Sequence, residues 1–148
     1  MTARAATEPT LGFLLADVLR LLRRDFHARA AGLGLTPALA RLLFHVHRQP
    51  GARPSDLAQR LDVTPVTLGR MLDRLARRGY VRRSADRADR RALRIHLAPR
   101  ATPVVARMLE ISALTNARAT RGLRPAERAQ LMALLGRLQA NLGRESPP

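Results

Sequence analysis

At 148 residues the chain can bury one real core, or a small lobe plus an assembly lobe, and it is too short for two independent domains. Apolar residues make up 46% but aromatics only 3%, so the interior must be built from Leu, Val and Ala, a composition that suits packed helices. The absence of cysteine excludes disulfides, thiolate zinc sites and sensing by thiol oxidation, while a formal charge of +16 points to a polyanionic partner. All 27 basic residues are arginine, which we attribute to coding bias rather than to recognition. Asp17 and Arg20 interrupt the apolar segment Leu11 to Leu22, and the first residues lack the apolar stretch of a secretion signal. A cytoplasmic protein with no membrane partner is expected.

Residues 1–9 and 143–148 are small and polar and read as disordered tails. From Thr10 to Ala31, Leu11, Leu14, Leu15, Val18, Leu22 and Phe26 hold helical spacing, and Gly32-Leu33-Gly34 ends that helix. Thr36-Pro37, a cap followed by a first-turn proline, opens a second helix to Arg48, with Leu39, Leu42, Leu43 and Val46 toward a core. Pro50-Gly51 breaks it.

Two short helices follow, joined by a tight turn. The first runs from Pro54 to Leu61 with Asp56 in its first turn, where the helix dipole favours an acid. Asp62-Val63 turns the chain, Thr64 caps the next helix, and that helix continues from Pro65 through Arg78 to a stop at Gly79. Leu68, Met71, Leu72 and Leu75 recur at i, i+3, i+4 and i+7, which makes them one buried stripe. Val66, Thr67, Gly69, Arg70, Asp73, Arg74 and Arg77 then point outward. An outward face of that kind can enter a groove of nucleic acid.

Val81 to Ser84 and Ala92 to Leu97 alternate apolar and polar residues, as half-buried strands do, and Ala85 to Arg91 joins them. A hairpin after a recognition helix is a wing. Its tip carries Asp86, Arg87, Asp89, Arg90 and Arg91. Pro99 to Arg118 holds Val104, Val105, Met108, Leu109, Ile111 and Leu114, too many apolar positions for a helix with one wet face. The last helix, Pro125 to Asn141, spaces Leu131, Leu134, Leu135, Leu138 and Leu142 along one side.

The expected fold is therefore mainly α: about six helices plus a two-stranded β-wing. Residues 36–99 form a winged helix-turn-helix that binds DNA. Residues 10–31 and 101–142 form a helical region whose leucines demand partners, and a two-fold homodimer is the commonest closed solution.

Charge sharpens this reading. Between Arg70 and Arg94 stand ten arginines against Asp73, Asp86 and Asp89, a formal +7. Nearly half of the excess thus lies in one sixth of the length, the footprint expected for binding a phosphate backbone. An enzyme finds little support: His27, His45, His47 and His96 are scattered, no glycine loop cradles phosphate, and no serine sits in a nucleophile elbow. No cofactor or metal is expected. The alternative to a sequence-specific regulator is a sequence-nonspecific architectural DNA- or RNA-binding protein, which would share the salt dependence without a preferred site.

Five phrases carry a resemblance: Gly34-Leu35-Thr36, Pro54-Ser55-Asp56-Leu57-Ala58, Arg70-Met71-Leu72-Asp73-Arg74-Leu75, Arg78-Gly79-Tyr80-Val81 and Asp89-Arg90-Arg91-Ala92. In this order and spacing, over Leu11 to Asn141, the chain resembles the MarR family of winged-helix regulators, and within it the SlyA-like group. The resemblance implies a homodimeric repressor that places each recognition helix in a major groove and each wing in a minor groove. It matches Arg70 to a recognition-helix arginine, Arg90 and Arg91 to paired wing arginines, and Asp89 to an acid that braces its neighbours.

The expected DNA-binding set is Pro65, Val66, Thr67, Arg70, Arg74, Arg77, Arg87, Arg90 and Arg91. Arg74, Arg77, Arg78, Arg82 and Arg83 suit phosphates, Val66 and Thr67 a thymine methyl, and Arg90 a narrow minor groove. The resemblance also implies a small aromatic anionic effector in a crevice, to which the first helix offers Arg20, Arg23 and Arg24; Arg20, Phe44 and Arg70 are the expected residues. Ala101, where the family often has glycine, predicts a weak cap for the penultimate helix.

Overall fold

Three threonines start helices in the same way. The hydroxyl of Thr10 accepts the Phe13 backbone N–H at 3.5 Å, that of Thr36 accepts Leu39 at 3.3 Å, and that of Thr64 accepts Thr67 at 3.2 Å. Each satisfies one orphan donor of a first turn. In the computed structural model, which describes residues 9–143, they open the first, second and fourth of six helices. In chain order the elements are α1 (Leu11–Ala30), α2 (Pro37–Arg48), α3 (Pro54–Leu61), α4 (Pro65–Arg77), β1 (Val81–Ala85), β2 (Leu93–Leu97), α5 (Thr102–Ala119) and α6 (Pro125–Gly143). This is the mainly α winged helix-turn-helix that the periodicity predicts. The expected tails lie outside the described residues, except Pro9 and Gly143; Gly143 is the last residue of α6.

Two 3-10 turns depart from the expected helix ends. Ala31–Leu33 tightens the exit of α1 before Gly34, whose φ of 63° reverses the chain. Pro99–Ala101 precedes α5, so that helix begins at Thr102 and not at Pro99. Ala101 has no side-chain oxygen to cap α5, and its N–H bonds back to Ala98 instead.

β1 and β2 pair antiparallel, with Val81 opposite Leu97 and Ala85 opposite Leu93. Ala92, expected in the second strand, donates its N–H to the Asp89 carbonyl within the tip and leaves the ladder to Leu93. A bridge between Ala52 and Ile95 ties the hairpin to the α2–α3 connection.

The core lies between the hairpin and α2 to α5. Leu39, Leu42, Leu43 and Val46 of α2 meet Leu57 of α3, Leu68, Leu72 and Leu75 of α4, Ile95 of β2, and Val105 and Met108 of α5. Each buried leucine of this kind contributes roughly 1.5–3 kcal/mol.

The outer helices are a different matter. Leu11, Leu14, Leu15 and Val18 of α1 are exposed, and α6 buries none of its residues. α1 is held to α5 through Asp25, whose carboxylate accepts Arg29 at 2.8 Å, the Thr115 hydroxyl at 2.9 Å and the Arg118 guanidinium. Arg29 first, then Thr115 and Arg118, hold the Asp25 carboxyl at about 2 against the pull of burial.

Candidate nucleic-acid interface

The turn between α3 and α4 sets the reading helix. Asp62 adopts φ 55°, a left-handed conformation that aspartate tolerates better than most side chains, and its N–H and that of Val63 return to the last turn of α3. Val63 is half-buried and anchors the turn against the core. α4 then buries Leu68, Met71, Leu72 and Leu75 and no other residue. Its opposite face is presented outward, and Gly79, at φ 72°, stops the helix before β1.

On that face Val66 is 66% exposed, beside exposed Pro65, Thr67, Arg70, Asp73, Arg74 and Arg77. The Thr67 hydroxyl accepts the Thr64 hydroxyl at 2.9 Å, and the exposed Thr67 side chain keeps its methyl and its own O–H toward solvent. Arg70, Arg74, Arg77 and Arg82 enter no ion pair among the described residues, so their guanidiniums remain available to an external anion. Two arginines expected on phosphates are already engaged. Arg78 donates to the Gly34 carbonyl at 2.7 Å, and Arg83 pairs with Asp73 at 2.6 Å.

The wing tip is exposed at Arg87, Arg90 and Arg91. Asp89 holds the tip's backbone, accepting the Arg91 N–H at 3.0 Å, and pairs with no arginine side chain among the described residues. The acid that braces arginines is Asp86. It is 7% exposed and accepts Arg94 Nε at 2.8 Å, Arg53 at 3.4 Å and the Ala88 N–H at 2.9 Å. The Ala88 bond, followed by Arg94, lowers its pKa despite burial. Arg94 also reaches the Gly51 carbonyl at 3.1 Å, so one carboxylate fixes the wing to the start of α3. Neither Arg53 nor Arg94 stands out in the sequence from the other arginines.

A second feature lies behind the reading helices. A cavity of about 280 Å³ opens between α1, α2 and α5. Of the residues expected at an effector crevice, Phe44 lines it, as does Arg23, one of the arginines that the first helix offers; Arg20 and Arg70 do not. Arg20 turns along α1 to Asp17 at 3.3 Å, and Arg70 belongs to the exposed face of α4. The cationic groups that do line the cavity are Arg23 of α1 and Arg41 of α2, joined by His27 and His45. Burial, reinforced by Arg23, lowers the pKa of His27, and burial together with Arg41, Arg60 and Arg48 lowers that of His45. The four histidines scattered in sequence thus yield two that line one cavity, His27 from α1 and His45 from α2. The signal that could have found them is the repeated Phe-His step, Phe26-His27 and Phe44-His45, each with its rings in edge-to-face contact.

Among the described residues no helix is long and apolar enough to cross a membrane.

Residues 33–92 match the model of the MarR family. Solved structures agree over nearly the whole chain. Transcriptional regulator PA3341 shares 35% identity, with 92% of this chain and 100% of that one covered at a TM-score of 0.82. A MarR-family regulator from Silicibacter pomeroyi shares 27%, covering 92% of each chain at a TM-score of 0.79. BpsR of Bordetella bronchiseptica, whose DNA binding is regulated by 6-hydroxynicotinic acid, shares 25%, covering 88% of this chain and 93% of that one at a TM-score of 0.72.

Proposed function

This chain belongs to the MarR family of transcriptional regulators, which are not enzymes, and on that premise we propose that it is a repressor that binds a near-palindromic operator as a homodimer and is released by a small aromatic anion. The observation that carries the DNA-binding part is the face of α4. Free arginines at 70, 74 and 77 stand there beside exposed Val66 and Thr67, next to a wing with arginines at 87, 90 and 91. Arg74, Arg77 and Arg82 suit phosphates, Arg70 a guanine edge or a phosphate, and Val66 with the Thr67 methyl a thymine. Arg90 and Arg91 suit the minor groove, with Asp89 before them shaping the tip through the Arg91 N–H. The phrase Asp89-Arg90-Arg91-Ala92 supports the SlyA-like group.

Residues 36–99 serve as the reading head, and residues 10–31 and 101–142 as the dimerisation region. Two-fold symmetry calls for half-sites about 10 base pairs apart, centre to centre. The effector reading rests on the cavity beside Phe44, whose Arg23 and Arg41 offer two cations to a carboxylate beside the apolar side chains of Leu19, Leu22, Phe26 and Met108. Regulation of BpsR by 6-hydroxynicotinic acid supports an aromatic acid as the class.

Footprinting on the DNA upstream of the protein's own gene, at two salt concentrations and with or without salicylate, tests these points together. A bounded, symmetric footprint that salicylate weakens is the expected result. Uniform protection that only salt abolishes would favour a sequence-blind architectural protein.

A further inference from the structure

The cavity between α1, α2 and α5 has an unusual charge balance. Its polar lining consists of two guanidiniums, Arg23 and Arg41, two imidazoles, His27 and His45, and the neutral side chains of α5, and among the described residues no carboxylate lines it. The nearest acid on α1, Asp25, is committed to Arg29, Arg118 and Thr115. α3 adds only a further cation toward His45, Arg60. We propose that this cavity takes up an aromatic carboxylate together with a proton, the proton settling on His27 or His45 beside the two arginines. The inference rests on the cavity being the effector site.

Charge compensation couples the two ligands. In the free protein, burial and neighbouring arginines disfavour a further positive charge, so both imidazoles lie below their ordinary 6.5 and are neutral near pH 7. A bound carboxylate reverses the local potential. It lowers the repulsion from Arg23 and Arg41 and gives an imidazolium N–H a charged acceptor, so the histidine pKa rises in the complex. No bond between heavy atoms changes; one N–H bond forms on an imidazole nitrogen as a hydronium ion or buffer acid gives up its proton. The Phe26 and Phe44 rings beside these histidines supply the apolar contact that an aromatic ring requires.

The complex holds more protons than the free protein, so affinity rises as pH falls through the raised pKa of the complex. It levels off below the depressed pKa of the free histidine. The slope reaches at most about tenfold in Kd per pH unit for one proton. The regulator would therefore answer an aromatic acid more strongly in acidic surroundings.

Titration calorimetry of the full chain with salicylate, whose carboxyl stays ionised throughout, tests this between pH 6 and pH 8 in two buffers of different ionisation enthalpy. Tighter binding at pH 6, with a buffer-dependent heat that reports proton uptake near pH 7, is expected in the wild type. The pair of substitutions His27→Gln and His45→Gln should flatten the slope while binding persists at pH 8. Salicylate binding with equal affinity at both pH values and no proton uptake would overturn the proton linkage and leave the effector site standing. No salicylate binding at any pH would overturn the effector site itself. A slope that survives in the double variant would place the proton elsewhere and refute the histidine assignment.

Discussion

The guanidinium of Arg83 stands 2.6 Å from the carboxylate of Asp73, joining the first strand of the wing to the middle of the recognition helix. On the proposed function the two elements address neighbouring grooves in a fixed relation, and this pair bridges them on the exposed side while Leu75 and Val81 belong to the core beneath. Asp73 is the one acid on the outward face of α4. Beside phosphates it would be repelled, and its pairing converts that liability into alignment.

Asp73→Asn should separate alignment from charge. Both partners are substantially exposed, so the cost in stability should stay below about 1 kcal/mol. Arg83 becomes free for phosphate, so binding to random DNA should tighten and its salt slope steepen by about 0.9. Preference for the operator over random DNA should fall. Fluorescence anisotropy across a salt series reads all of these, and an unchanged slope would show that Arg83 does not move to the backbone.

Arg90→Ala and Arg77→Ala should fail in different ways. Loss of Arg90 should cost about 1–3 kcal/mol at the operator and relax the preference for its narrow-groove segment. Loss of Arg77 should weaken all sequences about equally and reduce the salt slope by about 0.9. Competition assays with operator and scrambled duplexes distinguish them. A change of sequence preference in the Arg77 variant would move that residue into the base-reading set.

Local signals account for most of what the sequence reveals here. Thr36-Pro37 and Thr64-Pro65 mark helix starts because cap and proline act within one turn, and the stripe Leu68, Met71, Leu72 and Leu75 marks a buried face because its period is that of the helix. What stays hidden depends on convergence. Asp86 rather than Asp89 gathers the arginines because Arg53, 33 residues away, and Arg94 arrive at it only after folding. Arg41 and His45 look like ordinary positions of α2 until α1 and α5 close over them. The end of the wing tip is likewise set by the Asp89–Ala92 turn, which competes with the strand for Ala92.

Asp25 should govern the acid limb of stability. Its carboxyl titrates at about 2 in the folded chain, against 3.8 when free of its partners. A depressed carboxylate stabilises the fold fully above the unfolded value, and this contribution disappears as pH falls through the folded one. Asp25→Asn should therefore melt below the wild type at pH 7, and the gap should close between about pH 4 and pH 2. Thermal melts followed by circular dichroism at these pH values check it, and a gap that persists at pH 2 would assign the effect to packing rather than to charge.

α6 gives the sharpest test of assembly. It is 19 residues long and buries none of them within its own chain, although Leu131, Met132 and Leu134 are 40%, 68% and 46% exposed. Helices in proteins owe most of their stability to packing an apolar face rather than to propensity, so the apolar residues of α6 need a surface to cover them. Leu109 and Leu114 of α5 and Leu11, Leu14 and Leu15 of α1 are exposed as well, so the outer helices supply a surface that a two-fold axis can pair with itself. The full chain should then sediment at twice its mass of 16.4 kDa, and deletion of residues 125–148 should yield the monomer. Leu134→Glu should weaken the dimer in the same direction while keeping the chain intact, by burying an unpaired charge at the interface. A truncated chain that still sediments as a dimer would exclude α6 from the interface and leave its leucines to another partner.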